Sequence, residues 1–118
     1  LNLAALAGAL DIYREADIDS LQDAETDLAA RIAEIVHALP GEPLEIVTPL
    51  EPGRRGCQLS LRVRAGRRQS RAAFDRLQAA GVVGDWREPD IIRVAPNPLY
   101  NSVADVDRFG EILARSLP

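Results

Sequence analysis

The hydrophobic pattern of this chain changes its period twice, at Leu44 and again at Gln69. Before Leu44 the apolar residues recur at helical spacing, whereas after it they alternate, as in a strand with one buried face. A chain that switches in this way has to combine helices with a sheet. Its 118 residues are enough for one hydrophobic core. We therefore expect a single domain over residues 1–118, with a helical hairpin at 1–40 and an α+β layer at 41–118.

The segment before the first switch predicts two helices. Leu3, Leu6, Leu10 and Tyr13 recur at helical spacing, which predicts a helix over residues 2–16. Asp19 or Ser20 suits the N-cap of a second helix, and Pro40-Gly41 ends it. The apolar stripe of this second helix comprises Leu21, Leu28, Ile32, Ile35, Val36 and Leu39.

The segment after the switch predicts four strands and two more helices. Gly81 suits the C-terminal cap of the first of these helices, and Ser102 with Asp105 forms a capping box for the second. This order predicts an α+β fold with helices packed on one face of a mainly antiparallel sheet. The strands are expected near 44–48, 57–64, 82–86 and 91–95, and the helices at 69–80 and 102–116.

The string from Ile91 to Ser102, IIRVAPNPLYNS, places a charged residue inside an apolar strand. Because side chains alternate along a strand, Arg93 faces away from the side shared by Ile92 and Val94. A guanidinium at the end of a short strand is well suited to bind a carboxylate through two parallel hydrogen bonds. The pattern by itself nevertheless favours a structural ion pair with a nearby acidic residue, since Glu88 and Asp90 lie close in sequence.

Composition excludes several classes of function. The net charge of -4 argues against a nucleic-acid partner, because phosphate binding relies on a basic surface. No apolar run approaches the ~18 residues that a membrane span needs. Cys57 is the single cysteine and has no partner for an internal disulfide, which favours a cytoplasmic location.

No catalytic constellation emerges from the remaining polar residues. His37, the single histidine, lies at the end of the second predicted helix, and Cys57 alternates with apolar residues as a small packing side chain would. A zinc site built on these two would need carboxylate ligands without motif spacing. The glycines Gly53 and Gly56 lack the spacing of a phosphate loop.

The middle of the chain is locally basic. Its arginines are Arg54, Arg55, Arg62, Arg64, Arg67, Arg68, Arg71 and Arg76. Solvated ion pairs with neighbouring acidic residues are the expected interpretation, and contact with an anionic ligand or a second subunit is the alternative.

Four separated strings of this chain resemble, in the same order, the C-terminal part of the kynureninase family. They are IVTP at 46–49, RGCQLS at 55–60, GVVGDWREP at 81–89 and IRVAPNPLYNS at 92–102. The resemblance is dense from about 46 to 109 and looser over the first two helices. It implies the small C-terminal domain of the aspartate-aminotransferase-like fold.

The resemblance also implies a function and a site residue. Kynureninases are cytosolic, homodimeric, pyridoxal-phosphate-dependent enzymes that cleave kynurenine to anthranilate and alanine. In this family the arginine of the IRVAP string binds the α-carboxylate of the substrate, and Arg93 occupies that position here. Asn97 departs from the family, since many relatives carry a small apolar residue there.

All 14 basic residues of the chain are arginines, so the chain contains no lysine. A pyridoxal-phosphate enzyme needs a lysine to form a Schiff base with its cofactor. The chain also begins, at Leu1, within a predicted helix. We therefore expect a segment of a longer enzyme whose large domain carries the lysine, and we expect the isolated segment to be inactive.

Two other interpretations remain open at this stage. One is the small domain of another aminotransferase-like enzyme, such as a cysteine desulfurase, and the other is a free-standing α+β ligand-binding module. The genomic sequence upstream of Leu1 would separate them, since a large domain with a lysine after a strand would exclude the module.

Overall fold

The computed structural model describes residues 2–51 and 53–118. The predicted order of elements is confirmed: two helices, two strands, a helix, two strands and a helix. In chain order they are α1 (Asn2–Glu15), α2 (Ile18–Ala38), β1 (Leu44–Ile46), β2 (Leu59–Val63), α3 (Arg67–Ala79), β3 (Asp85–Arg87), β4 (Ile91–Val94) and α4 (Val103–Ser116).

The strands form one sheet in the order β1-β2-β4-β3, and each neighbouring pair is antiparallel. β4 is therefore central, with Leu61 of β2 opposite Ile92 on one side and Trp86 of β3 opposite it on the other. Residues directly opposite one another point to the same face of a sheet. Leu59 and Val94 extend this buried face by one more pair.

Helices α2, α3 and α4 cover that single face, as the alternation predicted. Burial of apolar side chains between the helices and the sheet supplies the main driving force for folding. Their buried side chains include Leu28, Ile32 and Val36 from α2, Phe74 and Leu77 from α3, and Val106, Ile112 and Leu113 from α4. The opposite face of the sheet carries the polar residues of the strands.

Local capping signals account for most helix ends. Ser102 caps α4 in a capping box with Asp105, as predicted. Gly81 has a φ of +86°, and the N–H of Val82 donates to the carbonyl of Leu77 at 3.0 Å, which ends α3 in a Schellman motif. The N-cap of α2 is Asp17, whose side chain accepts from the N–H of Ser20, so the helix begins earlier than Asp19 or Ser20 implied.

All four described strands differ from the predicted limits: β1 and β4 end earlier than 48 and 95, β2 is shorter at both ends, and β3 is displaced. β3 covers Asp85–Arg87 and not 82–86, because the chain leaving α3 is still bound to that helix at Val82 and Val83 is 98% exposed. β2 begins at Leu59, so the predicted first residues of that strand belong to the preceding loop. Alternation identified β2, whereas β3 was predicted from Val82 and Val83, which lie outside the strand; the limits of both depend on where a partner strand is available.

The first helix forms but does not pack as one half of a hairpin. None of the α1 residues is buried, and Leu3, Leu6 and Leu10 are 82%, 55% and 46% exposed. The apolar stripe that predicted this helix is therefore present on its surface. The described part of the domain core is built from α2 onward.

A glycine permits the close approach of α2 and α4. Gly110 is buried in α4, and a Cβ added there would lie 2.9 Å from both Cδ1 and Cγ2 of Ile35 on α2. Ile35 is β-branched and has one strongly preferred χ1 rotamer in a helix, so it cannot turn away freely.

We predict that Gly110→Ala lowers the free energy of unfolding by about 1–3 kcal/mol through overpacking. Gly8→Ala is the matched control, because it makes the same change within helix α1 where nothing lies within 4 Å of the added Cβ. Helix propensity favours alanine over glycine at either position by about 1 kcal/mol. Urea unfolding followed by circular dichroism measures both, and equal stability of the two variants would contradict this packing.

Candidate carboxylate-binding site

The face of the sheet opposite the helices presents a short row of side chains across β2, β4 and β3. Arg93 is central in this row, and its cross-strand partners are Ser60 on β2 and Asp85 on β3. All three are half-buried. Because Ile92 and Val94 are buried on the helix-covered face, the alternation of side chains along β4 places Arg93 on the opposite face.

Arg93 is held by Asp85 through one edge of its guanidinium. The Nε atom donates to Oδ2 of Asp85 at 2.9 Å, and Nη2 donates to the same oxygen. The Arg93 side chain keeps 30% of its surface exposed. Its Nη1 atom makes no hydrogen bond to any residue that the structure describes, so a donor remains directed outside this pair.

The carboxylate of Asp85 is shared by two arginines. Arg87, two residues along the same strand, donates from Nε to the same Oδ2 at 2.8 Å. The hydrogen bond from Arg93 lowers the pKa of the Asp85 carboxyl below its ordinary value and outweighs the opposing effect of burial, and the hydrogen bond from Arg87 makes a further, smaller contribution in the same direction. The cluster of Arg93, Asp85 and Arg87 therefore combines two guanidiniums with one ionised carboxylate and carries a net positive charge.

A neighbouring group of ion pairs on the same sheet is balanced. Arg62 lies 3.2 Å from Glu45 and 3.6 Å from Asp90, and Arg64 lies 3.9 Å from the same Glu45. Two guanidiniums there face two carboxylates. The Arg93 cluster differs from this group in its excess of positive charge, which would attract a carboxylate ligand.

The ion-pair partner of Arg93 differs from those that sequence proximity suggested. Glu88 binds Arg67 through both of its oxygens at 2.7 Å, and Asp90 faces Arg62. Asp85 was not singled out from the sequence. The sequence did contain a signal for this pair. Asp85 and Arg93 lie equally far before and after Pro89, so a hairpin centred on Pro89 places them opposite one another.

The segment after β4 turns sharply and is held by its asparagines. The side chain of Asn101 accepts from the N–H of Asn97 at 2.9 Å, and that of Asn97 accepts from the N–H of Leu99 at 2.9 Å. Side-chain bonds of this kind stabilise tight turns. Asn97 thus contributes a bond that a small apolar residue could not make.

Most of the arginines in the middle of the chain take part in ion pairs, as expected. Arg67 and Arg71 pair with Glu88 and Asp75 at 2.7 and 3.0 Å. Arg76 donates instead to the carbonyl of Ser116 at 2.8 Å, which ties α3 to the end of α4. Exposed pairs of this kind contribute little to stability, which is the expected interpretation for the arginines that form them.

Cys57 and His37 lie in unrelated surroundings. Burial, followed by the nearby carboxyl of Glu25, raises the pKa of the Cys57 thiol, which disfavours the reactive thiolate. His37 is exposed in the last turn of α2. Within residues 2–51 and 53–118 no group of three or more histidine, cysteine, aspartate or glutamate side chains is arranged to hold a metal ion.

Among the residues described, none of the helices combines the length and the apolar character that a membrane span requires.

Comparison with known proteins places this chain in a family. The profile named "Kynureninase C-terminal domain" matches residues 21–113. A kynureninase of Xanthomonas euvesicatoria pv. vesicatoria is 50% identical over 111 residues, and one of Stenotrophomonas maltophilia is 48% identical over 111 residues. Both alignments cover 94% of this chain and 26% of the relative, so the chain spans about a quarter of their length.

A solved structure agrees on the fold. A "NifS-like protein" superposes with a TM-score of 0.69 at 17% identity, covering 82% of this chain and 28% of that one. Identity at this level supports the fold alone, which is the small-domain architecture of aspartate-aminotransferase-like proteins. The sequence matches establish that this chain belongs to the kynureninase C-terminal domain family.

Proposed function

We propose that this chain is the C-terminal domain of a kynureninase, and that Arg93 binds the α-carboxylate of the substrate. The full enzyme would use pyridoxal phosphate to hydrolyse L-kynurenine, or its 3-hydroxy form, to anthranilate and L-alanine. The relatives that support this proposal are themselves named kynureninase and align over nearly all of this chain.

The observation that carries the proposal is the geometry of Arg93. Its guanidinium is fixed on one edge by Asp85 and keeps Nη1 free of described partners, on a sheet face that no described helix covers. A planar guanidinium binds a carboxylate best through two parallel N–H donors, and the unoccupied edge offers such a pair. The net positive charge of the cluster favours an anionic group at this point.

The cofactor itself does not fit the residues of this chain. Pyridoxal phosphate is attached to its enzymes through a lysine, and the 118 residues contain none. Neither Gly53 nor Gly56 lies in a phosphate-binding motif. We therefore assign to this domain the positioning of the substrate carboxylate and assign the cofactor chemistry to the large domain of the longer protein.

The remaining partners follow from the same proposal. The exposed leucines of α1, Leu3, Leu6 and Leu10, supply an apolar surface that suits contact with the enzyme's own large domain. A homodimer is proposed for the full enzyme on the family resemblance. A cytoplasmic location is proposed because Cys57 is the single cysteine and has no disulfide partner.

The two alternative functions have weaker support. A cysteine desulfurase or another aminotransferase-like enzyme would share the fold, but the likeness at 17% identity does not extend to substrate. A free-standing ligand-binding module would not require the aligned relatives to be about four times longer, as they are. Assaying the full-length protein with both L-kynurenine and L-cysteine separates the first alternative from the proposal.

The isolated chain is expected neither to form a Schiff base with pyridoxal phosphate through a side chain nor to cleave kynurenine. The only reactive amine is the chain terminus, since lysine is absent. Borohydride reduction followed by mass spectrometry locates any adduct, and anthranilate fluorescence measures turnover. Anthranilate production by the purified chain with added cofactor would contradict the assignment of the chemistry to the large domain.

In the full-length enzyme, Arg93→Ala is expected to remove about 2–5 kcal/mol of substrate binding, because a desolvated carboxylate loses its charged partner. At ~1.4 kcal/mol per tenfold, kcat/KM should fall by tens-fold to thousands-fold. Arg93→Lys should recover only part of this, since an ammonium keeps the charge without the two-pronged geometry. Steady-state kinetics with thermal melting measures both effects.

Arg67→Ala provides the matched control for these variants. Arg67 also binds a carboxylate through two nitrogens, but it lies at the start of α3 and pairs with Glu88. Its replacement should leave kcat/KM close to that of the wild type. If Arg93→Ala behaves in the same way as Arg67→Ala, Arg93 is a structural ion-pair residue and the proposed carboxylate contact is wrong.

A further inference from the structure

The contact between Arg93 and Asp85 uses one particular edge of the guanidinium. Both hydrogen bonds end on Oδ2, and they come from Nε and Nη2, the two nitrogens that share the side edge. The two hydrogens of Nη1 and one hydrogen of Nη2 remain. These three point away from Asp85 because the guanidinium is planar and rigid.

We propose that Asp85 is a positioning residue, which fixes the side edge of Arg93 so that the end edge, formed by Nη1 and Nη2, is presented to the substrate carboxylate. This inference rests on the proposed function of Arg93 and adds a second residue to the same site. Asp85 itself need not touch the substrate.

The backbone makes Asp85 suited to this task. It lies directly opposite Arg93 in the antiparallel pair of β3 and β4, so the two Cα positions are fixed by the ladder. Its side chain is short, whereas that of Arg93 is long and has several rotatable bonds. Holding the guanidinium before the ligand arrives reduces the conformational freedom that binding would otherwise remove.

Asp85 is itself a carboxylate, so it could compete with the substrate for the guanidinium of Arg93. The charges around Asp85 argue against such competition. Arg87 donates to the same Oδ2 of Asp85 at 2.8 Å, so the negative charge is shared between two guanidiniums. The hydrogen bond from Arg93, followed by that from Arg87, also lowers the pKa of the Asp85 carboxyl, which keeps it ionised near neutral pH. An incoming carboxylate therefore meets a cluster with excess positive charge.

The experiment replaces Asp85 in the full-length enzyme by Asn, which keeps the shape of the side chain and removes its charge. We expect kcat/KM for kynurenine to fall by about ten- to a hundredfold, by analogy with the loss of residues that orient the ligands of a metal ion. The loss should lie mainly in KM. Asp85→Glu keeps the charge one methylene farther out and should recover part of the activity.

Glu88→Gln is the matched control. It removes the carboxylate of another bidentate arginine pair, in the turn of the same β3–β4 hairpin, without touching Arg93. Its kcat/KM should stay near that of the wild type, and its melting temperature measures the structural cost of losing such a pair.

The decisive measurement combines Asp85→Asn with Arg93→Ala. A positioning residue acts through the arginine, so Asp85→Asn should cause no further loss once Arg93 is alanine, whereas a merely structural role would add its own loss. Equal losses from Asp85→Asn in both backgrounds would overturn the proposal. So would a rise in kcat/KM of the single variant, since that would make Asp85 a competitor of the substrate.

The remaining outcomes separate this inference from the proposed function. If Arg93→Ala lowers kcat/KM and Asp85→Asn does not, Asp85 has no positioning role while Arg93 keeps its own. If Arg93→Ala has no effect, the proposed function fails, and the inference fails with it. If Asp85→Asn melts below the assay temperature, its kinetics are measured below its melting temperature, and a wild-type KM there rejects the proposal.

Discussion

The two-sided character of β4 is the constraint on which the site depends. Ile92 and Val94 are buried under the helices, while Arg93 between them must point to the other face. Because side chains alternate strictly, a slip of one residue would bury the guanidinium and expose both apolar side chains. The unpaired charge would be costly in the core, so hydrophobic burial on one face fixes the position of a polar side chain on the other. The site is in this sense a product of core packing.

On the sheet face opposite the helices, Arg93 takes part in an ion pair and still has N–H donors without described partners. Around Glu45 and Arg62 the opposite charges balance, whereas around Asp85 two guanidiniums share one carboxylate oxygen. An arginine suits this arrangement better than a lysine, because its rigid fork can be held on one edge and still offer donors on another. Partial exposure of Arg93 leaves that second edge accessible. The same side chain can therefore pair within the sheet and still offer donors to the proposed ligand.

The division of labour within the proposed enzyme follows from what the chain contains and lacks. It has an oriented arginine but no lysine, and it spans about a quarter of its relatives' length. If one domain binds the substrate carboxylate and another holds the cofactor, the substrate would lie between the two domains. Both contacts would then be needed to orient it for reaction. The exposed apolar stripe of α1 is consistent with a domain that packs against further protein.

The sequence by itself determined the features that depend on near neighbours. The sequence pattern predicted the order of the described helices and strands, and Gly81, Ser102 and Asp105 act at helix ends as their local chemistry indicated. The strings around Arg93 led to the family and to the face on which Arg93 lies.

Tertiary structure decided the rest, because it depends on which strands and helices meet. Antiparallel pairing placed Asp85 beside Arg93 and directed Glu88 to Arg67, although Glu88 is nearer to Arg93 in sequence. It also moved β3 to Asp85–Arg87 and left α1 unpacked. Strand limits, ion-pair partners and helix burial are properties of the register and of the core, and no window of neighbouring residues contains them.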